Sequence, residues 1–89
     1  MKTRKGYTMR PLGKEFILVA EGLDAVDFSR MISMNETAAY LWKEVEGKDF
    51  DADVLVDLLM AEYDITQEVA TRDVESLLQT WKDANIIEY

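Results

Sequence analysis

The chain has 89 residues, 48% of them hydrophobic and 31% charged, with ten Lys and Arg against eighteen Asp and Glu for a net charge of −8. A chain of this length buries roughly 60–65% of its unfolded surface, which allows one modest core and sets the expectation of a single domain over 1–89. It contains no cysteine and no histidine. That excludes disulfide scaffolds, His/Cys zinc sites, Cys or Ser–His nucleophile pairs and imidazole pH switches. An enzyme would have to run on carboxylates, Lys, Tyr or Ser, in a concave pocket that short chains seldom build. The expectation is therefore a non-enzyme with no catalytic residues, no cofactor and no metal.

Charge is divided along the chain. Residues 1–20 carry five Lys and Arg against one acid, and residues 21–89 carry five against seventeen. The cationic start (Lys2, Arg4, Lys5) resembles the opening of a signal peptide, but Gly6-Tyr7-Thr8-Met9-Arg10-Pro11 follows in place of an apolar segment. The longest apolar run, Phe16–Ala20, is far short of the ~20 residues a membrane helix needs. A cytoplasmic protein without membrane contact is expected, its cationic arm a flexible solubilising tail.

Residues 7–12 alternate weakly, and Pro11, which cannot donate to a ladder, suits a strand end or edge. Gly13-Lys14 signals a turn. Glu15–Ala20 is a compact apolar, β-branched strand. Gly22 through Asp27 reads as a loop or hairpin connection. Phe28–Met34 alternates again, with Phe28, Arg30, Ile32 and Met34 on one face and Ser29, Met31 and Ser33 on the other.

At Asn35 the period changes from 2 to 3.6. Asn35 is a good N-cap and Glu36 sits where the helix dipole favours an anion. Ala38, Leu41, Trp42 and Val45 form one apolar stripe, and Gly47 supplies a left-handed stop. After the linker Lys48–Asp51, a second helix is expected over about 53–63, burying Leu55, Leu58, Leu59 and Tyr63. Thr66 caps a third, which buries Ala70, Val74, Leu77, Leu78 and Trp81 before a stop at Asn85. Helices over about 35–46, 53–63 and 66–84 thus follow three strands within 7–34. Ile86–Tyr89 is an apolar tail that packs back onto the domain. The fold class is α+β: a three-stranded antiparallel sheet followed by three helices, winged helix-turn-helix-like in outline.

Asp49, Asp51 and Asp53 alternate like the opening of a calcium loop, but the glycine position is Val54 and the bidentate Glu position is Met60. The match fails, and Asp51 or Asp53 reads as the cap of the second helix. A winged outline suggests DNA, and charge opposes it. From Thr66 to Ala84, Arg72 and Lys82 face Glu68, Asp73, Glu75 and Asp83, so the helix would meet phosphates with net repulsion. Trp42 and Trp81 fall in apolar stripes and read as core, and no Tyr has a flanking base. The third strand is more informative. With Arg30 its one central charge and no Pro, it would offer unpaired backbone groups to an extended peptide if it lies at an edge. An edge covered by the helices or by a dimer partner fits the same pattern.

Met34-Asn35-Glu36-Thr37-Ala38-Ala39-Tyr40-Leu41-Trp42 resembles the L-N-E-T-A-x-x-I-W signature of the PqqD-like proteins, relatives of the coenzyme PQQ (pyrroloquinoline quinone) synthesis protein D. Tyr7, Arg10, Phe16–Val19, Gly47, Glu62-Tyr63-Asp64 and Asp73–Leu78 fall at the family's further landmarks. Ala84–Glu88 matches its ending with Asn85 in place of Gly, and Met34 replaces the commoner Leu. The resemblance implies a peptide-binding recognition element for ribosomally made, post-translationally modified peptides. Such a chaperone captures the leader segment of a precursor peptide as a strand beside the third strand, against the third helix. It presents that peptide to a modifying enzyme, often a radical-SAM enzyme. Mapped onto this chain, the peptide-binding residues would be Ser29, Arg30, Met31, Ile32 and Ser33 on the strand, with Arg72, Asp73 and Leu77 on the helix. Asp73 reads equally as a structural hydrogen-bond partner of the sheet or first helix. The alternative function is a winged helix-turn-helix regulator or dimerisation module, and exchange of N-terminal strands would give a homodimer.

Overall fold

The computed structural model describes residues 1–21 and 26–88, with the side chains of all but 20, 21 and 26–30. In chain order its elements are β1 (Lys2–Thr3), β2 (Tyr7–Leu12), β3 (Glu15–Glu21), β4 (Val26–Met34), α1 (Glu36–Val45), α2 (Ala52–Glu62), α3 (Gln67–Asp83) and β5 (Ile87–Glu88). The three strands expected from periodicity are β2, β3 and β4. They form an antiparallel sheet in that order, so β3 is central and β2 and β4 are edges. The expected loop over Gly22–Asp27 lies at 22–25 outside the described residues, whereas Val26 and Asp27 already belong to β4. The facing of the Phe28, Ser29 and Arg30 side chains, and Tyr89, also lie outside them.

β2 and β3 are joined by the two-residue turn Gly13-Lys14, with Leu12 opposite Glu15 and Tyr7 opposite Ala20. Gly13 has φ +63°, the left-handed geometry that matches a tight hairpin to the twist of its strands. Pro11 sits on the edge strand β2, where its missing N–H leaves the sheet interior intact. β3 pairs with β4 in regular register from Phe16↔Met34 through Leu18↔Ile32, and again at Ala20↔Asp27 and Glu21↔Val26. Between these stretches Val19 alone stands against residues Phe28–Met31, so β4 carries a multi-residue bulge.

Each helix starts on a side chain that accepts a free first-turn N–H. Asn35 Oδ1 accepts from Ala38 N at 2.8 Å, Asp51 Oδ1 from Val54 N at 3.0 Å and Thr66 Oγ1 from Val69 N at 3.2 Å. The stops lie at Gly47 (φ +76°) and Asn85 (φ +60°), both left-handed. No described helix is long and apolar enough to cross a membrane.

The core gathers one face of every helix onto the sheet. Leu18 of β3 and Met34 of β4 meet Leu41 and Trp42 of α1, Leu55 and Leu59 of α2, and Val74 and Trp81 of α3. Trp42 and Trp81 pack edge to face, with centroids 5.2 Å apart and planes at 88°, and Phe50 meets Trp81 in the same manner at 6.5 Å. Tyr63 departs from the expected stripe: it is exposed, its ring edge-on to Tyr40 at 6.5 Å, while Val56 is buried. Tyr63 is the C-cap of α2 in extended conformation, so the helical spacing that would turn it inward no longer applies.

The largest departure from the sequence reading is the N-terminal arm, which is not a free tail. β1 pairs antiparallel with β5, Lys2 opposite Glu88 and Thr3 opposite Ile87. The Arg4 amide donates to Ile86 O at 2.9 Å, and the Gly47 amide donates to the buried Thr3 hydroxyl at 3.0 Å. Ile86 and Ile87 are fully buried beneath this pair.

Removing the Trp81 side chain takes away the partner of both Trp42 and Phe50. Trp81→Ala should lower the unfolding free energy by about 3–5 kcal/mol in chemical denaturation, and a loss below about 1 kcal/mol would contradict the core described. Asn35→Ala should cost about 1 kcal/mol and Asn35→Asp much less, because aspartate retains the capping oxygen.

Candidate functional site

A groove of about 350 Å³ opens between the first turn of α1 and the outer side of α3. Its apolar lining is Ala38 and Leu41 of α1, Leu59 of α2 and Leu77 of α3; its polar lining is Asn35, Thr37, Asp73, Ser76 and Thr80. Asn35 directly follows β4, so one mouth of the groove lies at the end of the edge strand. The alternation of β4 explains the arrangement. Met34 turns into the core and Ile32 is half-buried, while Met31 and Ser33 are exposed.

The Asn-Glu-Thr-Ala run has a local physical reading. Asn35 holds the first turn, and Glu36 occupies the first helical position, where the dipole favours its charge. Thr37 faces the groove and its hydroxyl donates to the Tyr63 hydroxyl at 3.4 Å. Ala38 and Ala39 are buried; Ala38 also lines the groove, where a larger side chain would fill it.

α3 presents three faces. Ala70, Val74, Leu78 and Trp81 are buried in the core. Asp73, Ser76, Leu77 and Thr80, spaced i, i+3, i+4 and i+7, line the groove. Glu68, Arg72 and Glu75 line a separate depression with Gln67 and Thr71, where Arg72 Nη2 lies 3.4 Å from Glu68 Oε1. Of the three helix residues expected at a peptide, the structure brings Asp73 and Leu77 together and sets Arg72 on another face. Both ends of the Arg72–Glu68 pair are highly exposed, so its energetic weight is small.

On the strand, Ile32 and Ser33 lie in the regular ladder opposite Leu18 and Ile17, whereas Ser29, Arg30 and Met31 lie in the bulge. Ser76, Thr80, Thr37, Leu41 and Leu59 are groove residues that sequence reasoning missed. Ser76 and Thr80 were within reach, since each stands one helical turn from Asp73 or Leu77. The groove's one ionisable group among the described residues is Asp73. Nearby, burial holds the Tyr40 hydroxyl above its ordinary pKa, and the charges of the Glu44 and Glu62 carboxylates and of the Tyr63 phenol act in the same direction. That direction is opposite to the one that activates a phenol as a nucleophile.

Comparison with known proteins adds three findings. A search of curated protein sequences finds no match. Among solved structures, TbiB1 in complex with the TbiA(beta) leader peptide matches with a TM-score of 0.72 at 19% identity, over 99% of this chain and 95% of that one. At that identity the likeness establishes the fold: a three-stranded antiparallel sheet with three helices. The family model for coenzyme PQQ synthesis protein D (PqqD) matches residues 9–87, from β2 to β5 and through the Asn35–Trp42 junction, and the chain is therefore a member of the PqqD family.

Proposed function

We propose that the chain is a non-catalytic adaptor that captures the leader segment of a ribosomally made precursor peptide and presents it to a modifying enzyme, a radical-SAM enzyme in the reading favoured by its family. The observation that carries this is the continuity of an edge strand, β4, with a groove that has an apolar floor and polar walls. An extended peptide added beside β4 exchanges main-chain hydrogen bonds and runs toward Asn35 into the groove. Family membership supports the reading, as does a shared fold with a protein solved on a leader peptide. The acidity of α3 supports a peptide over nucleic acid. The encounter is placed in the cytoplasm, where ribosomal precursors are made.

Magnitudes assign the two parts different tasks. Micromolar binding needs about 8 kcal/mol net, and ordering a disordered segment costs about 2–5 kcal/mol more. Three or four backbone hydrogen bonds at roughly 1 kcal/mol each leave most of that unmet. Burying about 300 Å² of apolar leader surface supplies roughly 7.5 kcal/mol at ~25 cal/mol per Å². Affinity therefore rests on apolar leader residues seated against Leu77, the half-buried apolar side chain of the lining, over a floor of Ala38, Leu41 and Leu59 already buried in the core, and β4 sets direction and register. The bulge over residues 28–31 confines regular pairing to the Ile32–Met34 end, next to the groove. Asp73, at the groove wall, would accept hydrogen bonds from the leader backbone. Arg72 would meet a leader only where it ran past the groove.

The test is affinity capture from native lysate read by mass spectrometry, followed by calorimetry on the recovered peptide. The chain should retain a short segment of a ribosomal precursor. Leu77→Arg should weaken its affinity about a hundredfold, by loss of an apolar anchor and burial of a charge. Ser33→Pro, which removes the amide at the centre of the Ile32–Met34 segment left for regular pairing, should weaken it about ten-fold. Recovery of DNA, or of a peptide indifferent to both substitutions, would remove the reading. The same edge accepts β4 of a second copy, and sedimentation should then show a homodimer that the leader dissociates.

A further inference from the structure

A larger cavity, about 600 Å³, lies between the segment Lys2–Tyr7 and the end of α1 with the turn after it. Lys2, Arg4, Lys5, Tyr7 and Trp42 are among its lining. Two donors on these residues lack an acceptor: Trp42 Nε1 and Arg4 Nε are both buried with no hydrogen-bond partner among the described residues. Trp42 is only 1% exposed, so bulk solvent does not reach its N–H. Arg4 is anchored through its other end, Nη1 lying 3.4 Å from Glu88 Oε1, which leaves Nε as the unmatched group. The ammonium groups of Lys2 and Lys5 form no ion pair among the described residues. The carboxylates on the lining, Glu46 and Asp49, are exposed; Asp49 lies 3.1 Å from the Met1 amino group.

Indole N–H, guanidinium N–H and ammonium only donate. A wall of donors, two of them buried and unmatched, is complementary to a group that only accepts, and an ionised carboxylate is that group. The lining carries Lys2, Arg4 and Lys5 against Glu46 and Asp49, a net of +1, in a chain of net charge −8, so an anion meets less repulsion here than over the molecule as a whole. We propose that this cavity is a carboxylate-binding site for an acidic segment of a peptide, separate from the groove between α1 and α3 and independent of the function assigned to that groove. Entry requires part of the strap Lys2–Tyr7 to lift slightly from the buried donors. Lys2–Arg4 is held by the β1–β5 ladder, the Arg4 amide bond to Ile86 and the Gly47 amide bond to the Thr3 hydroxyl, and Tyr7 is held in β2, so the part with freedom to lift is the bend Lys5-Gly6 between β1 and β2.

The chain has two tryptophans, so its indole N–H region in a nitrogen–proton correlation spectrum holds two signals, assignable with Trp81→Phe. The full chain is titrated with capped tetraglutamate, and with capped tetraglutamine, sodium acetate and sodium chloride at matched ionic strength. The Trp42 signal should shift saturably with tetraglutamate, not with tetraglutamine or chloride, and acetate should bind at least about ten-fold more weakly because it offers one contact. Lys5→Gln, an exposed change that leaves the fold in place, should weaken tetraglutamate about ten-fold, and Arg4→Met should abolish the shift. A Trp42 signal indifferent to tetraglutamate, held upfield by the Trp81 ring, would place the indole N–H on that ring and overturn the site. Equal response to chloride or tetraglutamine would overturn it as well, and equal affinity for acetate would overturn the peptide as its occupant.

Discussion

The arrangement depends on one junction. A single residue, Asn35, separates the last residue of β4 from the first of α1. Its side chain closes the first turn at 2.8 Å, while its carbonyl accepts the first intrahelical bond, from Ala39 N at 3.0 Å. With Met34 buried on one side and Ala38, Leu41 and Trp42 on the other, the chain has no slack to change the angle between strand and helix. That angle places the first turn of α1 beside α3 and leaves the space that becomes the groove.

α3 shows how one helix serves two tasks without conflict. A 3.6-residue period gives its seventeen residues a buried stripe, a groove stripe and a solvent stripe. Leu77 stands on the shoulder between the first two, half-buried, belonging to core and groove together. A fold of this size has few apolar residues to spare for binding, and a shoulder position lets one side chain serve both purposes. The same economy appears at Ala38, where smallness lets the helix approach the core and keeps the groove open.

Much of the fold was legible because it is written in local periods and caps. Asn35, Asp51 and Thr66 announce helices by the chemistry of their side chains, and Gly13, Gly47 and Asn85 announce turns by the conformations they tolerate. What escaped is non-local. β1 and β5 are two residues each and meet across nearly the whole chain, so neither has a period to detect, and the charge of Lys2, Arg4 and Lys5 hid their role in covering Ile86 and Ile87. The bulge in β4 escaped for a similar reason: strict alternation through Phe28–Met34 suggests one continuous ladder, and only the pairing with β3 reveals the extra residues. Of the groove lining, Asp73 and Leu77 follow from the family resemblance, and the Asn35–Trp42 run that carries it is marked by its cap and apolar stripe rather than as a groove. Thr37, Leu41 and Leu59 could not be tied to the groove until three helices were placed against each other.

Hydrogen exchange on the free and peptide-loaded chain tests the central claim most directly. If an extended leader adds to β4 and enters the groove, amides within 32–34 and around Thr37 should slow markedly on loading while those on α2's exposed face stay unchanged. Unchanged exchange along β4, with protection confined to α2 or to the 67–72 end of α3, would contradict it and locate the peptide elsewhere.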